Sequence, residues 1–175
     1  MQNLLSPEDF GIVFSMLDEV VWLFNIRGAD VEFNPVVYAF AVVTREKAFL
    51  FIEPSKLSSE VIAHLLEAKV DVLPYDSIEE FLTNARTSDK GFILADSTQI
   101  NWRLANAIGD KLKEKASPLT LAKSLKNKAE LSGVVQSHIR DGLALTAFLS
   151  WLDREVVSGK QITEYEASVV LESYR

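Results

Sequence analysis

Three features of this 175-residue chain predict an α/β domain, a mixed β-sheet flanked by helices, followed by a long helix and a short one. Apolar runs rich in β-branched and aromatic residues alternate with segments of helical spacing through about residue 112. Two of those runs, 37–44 and 48–53, are separated only by Arg45-Glu46-Lys47, as in an antiparallel hairpin. A hairpin inside an otherwise alternating pattern makes the sheet mixed. After Ser117-Pro118 the strand signals stop and three- and four-residue spacing continues alone.

In chain order, 10–16 reads as a buried strand and 17–24 as a short helix, with Asp18 and Glu19 in the first turn, where the helix dipole favours negative charge. Asn25-Ile26-Arg27-Gly28 ends that helix, Gly28 being suited to a positive-φ exit. The hairpin follows. Residues 59–69 carry Val61, Ile62, Leu65 and Leu66 at helical spacing, and 70–73 is a short strand. Asp76 with Glu79 is a capping-box pattern opening a helix to about residue 85. Residues 91–95 form another strand. Ile100, Leu104, Ala107, Ile108 and Leu112 share one face of a helix over 98–112. The domain is expected to cover residues 1–116, with a linker at 117–126, because proline biases the residue before it away from the helical region.

Beyond the linker, 127–175 reads as two helices. Asn127 with Glu130 is a second capping box, and Leu131, Val134, Val135, His138, Ile139, Leu145, Phe148, Leu149 and Leu152 recur with helical period to about residue 156. At 1.5 Å per residue that helix is roughly 45 Å long. Thr163 with Glu166 caps the last helix.

Composition narrows the function. Apolar residues make up 48% and charged ones 25%, a globular balance. Eighteen basic against 25 acidic side chains leave a net charge of −7, which argues against nucleic acid as a partner, since that affinity rests on Lys and Arg neutralising phosphates. No window approaches the ~20 apolar residues of a membrane helix, and residues 1–10 lack the basic and apolar regions of a signal peptide. There is no cysteine, which leaves no disulfide, thiolate metal site or cysteine nucleophile.

Few side chains are candidates for chemistry. Asn25 and Arg27 are a polar pair on a turn between helix and sheet, able to present a guanidinium to a peptide carboxylate or carbonyl. The plainer reading is a salt bridge from Arg27 to Asp18, Asp30 or Glu32. His138 lies on the apolar face of the long helix, where a hydrogen bond to a backbone carbonyl in a helix interface is the plainer role than metal binding, and Arg140-Asp141 beside it invites pairing with another segment. His64 reads as an ordinary helix residue near the surface. Trp22, Trp102 and Trp151 are expected in cores, and Asp18, Glu19, Glu79 and Glu80 as first-turn helix charges. Asp96-Ser97 is not taken as a metal ligand.

Two blocks carry a resemblance. The segment from Asp18-Glu19 through Trp22-Leu23, Asn25 and Arg27-Gly28, with Asn34-Pro35 and the strand after it, resembles the corresponding part of the Xaa-Pro aminopeptidases (aminopeptidase P) of the cytosolic, three-domain type. So does the stretch from Ser117-Pro118-Leu119 through Leu125-Lys126-Asn127 and Glu130 to His138-Ile139-Arg140-Asp141-Gly142. The resemblance implies a creatinase N-terminal-like second domain followed by the first two helices of a pita-bread catalytic domain. It implies a cytoplasmic homodimer that hydrolyses the bond before proline in peptides with proline at the second position, using two metal ions, usually manganese. It places all the metal ligands beyond the equivalent of Arg175, so this chain alone is expected to be inactive, with no catalytic or metal residue of its own. The resemblance also sets Asn25 and Arg27 where the second domain faces its neighbours, at a substrate entrance or subunit contact. The alternative is a stand-alone dimerisation or interaction module.

Overall fold

The computed structural model describes residues 5–175. The first four residues, part of the stretch read for a targeting signal, lie outside the described residues. Two compact units make up the chain, the first ending at Ser124 and the second spanning Leu125–Arg175.

Six strands of the first unit, β1 (Asp9–Phe14), β2 (Ala39–Thr44), β3 (Ala48–Ile52), β4 (Val70–Pro74), β5 (Phe92–Ala95) and β6 (Leu112–Glu114), form one sheet in the order β4-β3-β2-β1-β5-β6. β1 with β2 and β2 with β3 are antiparallel, and the hairpin register runs from Ala39 opposite Ile52 to Val43 opposite Ala48. The outer pairs, β3 with β4, β1 with β5 and β5 with β6, are parallel. The expected mixed sheet is therefore present.

Side-chain alternation divides this sheet into two buried faces, as the two-residue period of a strand requires. Ile12, Phe14, Ala41, Val43, Leu50, Ile52 and Leu94 point into one cluster, covered by α1 (Leu17–Phe24), α2 (Ser59–Glu67) and α5 (Leu119–Ser124) through Val20, Val21, Phe24, Leu65 and Leu119. Val13, Val42, Phe51, Ile93 and Ala95 point the other way, beneath α3 (Ile78–Thr87) and α4 (Trp102–Ile108), which contribute Ile78, Leu82, Leu104 and Ile108. Each fully buried Leu, Ile or Phe of this kind is worth about 1.5–3 kcal/mol of transfer free energy, so two continuous clusters are ample to hold a three-layer unit.

Several local expectations are corrected. α1 covers 17–24 as read, but its exit is made by Asn25, at φ 51° and ψ 44°, and not by Gly28. Gly28 serves a close approach instead: a Cβ there would lie 2.8 Å from Cβ of Val37 and 3.1 Å from the Val36 carbonyl oxygen. No capping box forms at Asp76, because Tyr75–Ser77 is a 3-10 turn and α3 starts at Ile78 without a side-chain cap. The helix read over 98–112 is confined to α4. Asn101 caps it by accepting from the Leu104 N–H at 3.0 Å, and Gly109 leaves it at φ 58°. The chain then forms β6, an edge strand whose first residue, Leu112, is expected from sequence as the end of the helix. Within 117–126, read as an open linker, lies α5, which starts directly after Pro118, a position where the missing N–H costs nothing.

The second unit consists of α6 (Lys128–Val157) and α7 (Glu164–Tyr174). Both predicted capping boxes are formed. Asn127 accepts from the Glu130 N–H at 3.0 Å while Glu130 accepts from the Asn127 N–H at 2.7 Å. Thr163 and Glu166 do the same at the start of α7. The two helices pack together, with Ala144 and Phe148 of α6 buried, Phe148 against Trp151 at 5.8 Å, and Arg175 paired with Asp141 at 2.8 Å.

Candidate functional site

Asn25 and Arg27 occupy the turn that closes α1. The Asn25 N–H bonds the Trp22 carbonyl at 3.2 Å and the Ile26 N–H bonds the Val21 carbonyl at 3.0 Å, while the Ile26 side chain is buried beneath. Arg27 itself is exposed, and its guanidinium donates to the Ile26 carbonyl at 2.7 Å and the Val21 carbonyl at 3.3 Å. A cation on the last carbonyls of a helix complements its dipole. Among the described residues the expected salt bridge is absent: Asp18 pairs with Lys123, and Asp30 accepts from the Tyr38 N–H at 2.7 Å and from Lys56 at 2.5 Å. The turn is pinned through carbonyls.

His64, expected from sequence as an ordinary helix residue near the surface, completes that helix end. It reaches from α2 to donate from Nε2 to the Phe24 carbonyl at 2.8 Å. Asn25 and His64 line a shallow depression of about 420 Å³ with Val43, Ala48, Ala68 and Val70. His64 was missed because its partner is 40 residues away in sequence.

His138 and Arg140 lie on exposed positions of α6, in the other unit. His138 Nδ1 bonds the Val134 carbonyl of its own helix at 2.9 Å, and Arg140 donates to the Ser137 hydroxyl at 3.3 Å. Both contacts are local, within four residues. The carbonyl expected for His138 is there, but one turn back along the same helix and not across an interface.

A different cluster emerges where β1 and β5 end side by side. Glu19, in the first turn of α1, is 4% exposed and not a solvated helix charge. With Ser15, Asp96, Gln99 and Ser117 it lines a small cavity of about 10 Å³. Its Oε2 has no hydrogen-bond partner, the one such buried side-chain atom among the described residues. Burial, with the nearby Asp18 and Asp96 charges, pushes the Glu19 carboxyl above its ordinary range, against the opposing influence of the Ser117 hydroxyl and Lys123. Asp96 moves the other way. It is held below the usual carboxylate range by hydrogen bonds from the Thr98 hydroxyl at 2.6 Å, the Ser117 N–H at 2.9 Å and the Thr98 N–H at 3.0 Å. Sequence carries little sign of this, because Glu19 precedes Val20 by one residue and so by ~100° around the helix, at the margin of its apolar stripe.

Of the three tryptophans, Trp22 packs against the first cluster and Trp151 against Phe148, but Trp102 is 83% exposed and not a core residue. It borders a depression of about 440 Å³ with Phe40, Tyr75 and Arg103, in which Phe40 and Tyr75 are stacked at 5.0 Å. Among the described residues no three His, Asp or Glu side chains come together as a group able to hold a metal ion, so a dinuclear centre finds no fitting donor set here. No helix among them is long and apolar enough to cross a membrane.

Comparison with known proteins accords with this architecture. Residues 1–130 match the model of the creatinase/prolidase N-terminal domain. The chain is 43% identical over 179 residues to a probable Xaa-Pro aminopeptidase P of Pyricularia oryzae, covering 95% of this chain and 29% of that protein. It superposes on the X-prolyl aminopeptidase of Caenorhabditis elegans, described as a cytosolic enzyme with a di-nuclear active site, with a TM-score of 0.83 and 32% identity over 95% of this chain and 28% of that one. A Xaa-Pro dipeptidase from Bacillus anthracis, 12% identical with a TM-score of 0.60 over 94% of this chain and 43% of its own, shares the fold. The chain thus spans less than a third of the length of the two Xaa-Pro aminopeptidases. With three-quarters of its residues inside the matched region, it belongs to the creatinase/prolidase N-terminal domain family.

Proposed function

We propose that this chain is the non-catalytic second domain, with the first two helices of the catalytic domain, of a cytoplasmic Xaa-Pro aminopeptidase that releases an N-terminal residue preceding proline. The observation that carries the reading is the 0.83 superposition at 32% identity on a structure that is itself an X-prolyl aminopeptidase. Two metal ions, manganese in our reading, supply the hydrolytic chemistry of the whole enzyme by activating water and polarising the scissile carbonyl. On this reading those ions are held by residues outside this chain, and 1–175 is inactive by itself. Asn25 and Arg27 contribute to the substrate entrance or a subunit contact through the face of their turn that the carbonyl bonds leave exposed, and His138 with Arg140 offers a second exposed candidate surface. Reading the transcript downstream of the Arg175 codon tests this assignment. An open frame continuing through two Asp, one His and two Glu at metal-ligand positions is expected; a natural stop directly after Arg175 would overturn it.

One observation favours a second role, self-association. Leu131, Val135, Ile139, Leu143 and Leu149 of α6 are all more than half exposed, and an apolar stripe of that kind tends to find a partner. A homodimer built on this helix would serve either the enzyme or a stand-alone interaction module. A dimer mass in light scattering is expected, and a monomer at all concentrations would refute it.

A further inference from the structure

The cavity between the C-terminal ends of β1 and β5 has the size and lining of a binding site, yet it is far too small for a peptide. Its cavity volume of about 10 Å³ is at the lower end of what holds one solvent molecule. Its polar wall comes from Glu19, Ser15, Asp96, Gln99 and Ser117, and one atom of that wall, Glu19 Oε2, is buried without a partner. An unpaired buried carboxyl oxygen costs free energy that a single bridging donor recovers. The other polar groups are largely engaged. Ser15 donates to the Gln99 carbonyl at 2.9 Å, and both carboxylate oxygens of Asp96 already accept hydrogen bonds.

We propose that this cavity is a binding site for one water molecule, held between Glu19 Oε2 and Ser117, which fastens the turn by which the chain leaves the sheet for α5. Ser117 is the pivot of that turn. Its N–H is tied to Asp96 at 2.9 Å, its hydroxyl accepts from the Leu119 N–H at 3.3 Å, and Leu119 two residues on is buried in the first cluster. A water bridging from Glu19 connects α1 to the same residue, alongside the Lys123–Asp18 pair between α5 and α1. Water suits the site better than a cation, because three donors already sit on Asp96 and the burial that raises the Glu19 carboxyl works against bringing a charge there.

A crystal structure of the unaltered chain, at a resolution that shows ordered solvent, is the direct test. One density peak within hydrogen-bond distance of Glu19 Oε2 is expected, unchanged when sodium in the crystal is exchanged for rubidium. An empty cavity, or an anomalous rubidium signal in it, would overturn the proposal. Hydrogen exchange tests the fastening. Glu19→Gln, which keeps a hydrogen-bonding head, should leave the amides of 120–124 as protected as in the unaltered chain. Glu19→Met, which does not, should speed their exchange about tenfold while those of β2 and β3 hold. Equal α5 protection in both variants would also overturn it, and if Glu19→Met does not fold the crystal structure alone decides.

Discussion

Asp9 offers the sharpest test of how the sheet is tied together. It sits at the start of β1, 3% exposed, and its carboxylate accepts from the Ser6 hydroxyl at 2.6 Å, the Ser6 N–H at 2.8 Å and Lys113 of β6 at 3.2 Å. Burial alone would raise its pKa, but the Ser6 and Lys113 hydrogen bonds outweigh that and hold the carboxyl below its ordinary 3.8. Asp9→Ala removes three acceptor contacts. Hydrogen bonds to a charged group are worth about 1.5–3 kcal/mol each in buried settings, but Lys113 is 41% exposed and regains water, so a net loss of about 2–3 kcal/mol is expected. The pH dependence has a definite sign. A carboxyl whose pKa is lower in the folded than in the unfolded state adds stability above the unfolded value, and that stability is lost as pH falls through the folded one. Urea melts followed by circular dichroism should therefore show the unaltered chain weakening below about pH 4, with the variant less stable at neutral pH and flatter across the acid range. A variant within about 0.5 kcal/mol of the original at pH 7, with the same acid slope, would show that the Asp9 contacts do not hold the sheet.

Two further outcomes follow from local geometry. Gly91 lies at φ 114°, and a Cβ there would sit 2.3 Å from the Glu8 carbonyl oxygen, so Gly91→Ala should cost about 3 kcal/mol in the same melts, through strain at the entry to β5. In the second unit, Asn127→Ala removes the side chain that accepts from the Glu130 N–H, and about 1 kcal/mol of stability should go with it, whereas Asn127→Asp should lose little.

What the sequence revealed and what it concealed differ for physical reasons. α6 and α7 announce themselves because their caps are built from residues three apart, and α1 and the hairpin likewise depend on neighbours in the chain. β6 was hidden because Leu112 is its one apolar residue, and Leu112 also continues the Ile100, Leu104, Ile108 helical series. Only the Gly109 turn and the parallel pairing of Leu112 with Ile93 decide between them. α5 was hidden by Pro118, which argues against helix at Ser117 but is well placed to begin one. The positions of Asn25 and Arg27 on a polar turn were readable, their partners were not: the arginine meets carbonyls, which have no signature in sequence. Glu19 shows the limit most clearly, since an acidic residue in a first helical turn is ordinarily solvated and only the meeting of β1, β5 and the turn at Ser117 buries it.

Under the proposed function, these residues are scaffold and the hydrolytic chemistry lies outside them. The purified 175-residue chain, incubated with manganese and a peptide bearing proline at its second position, measures this directly. No release of the N-terminal residue above the rate in buffer is expected; its release in proportion to the amount of chain added would contradict the claim.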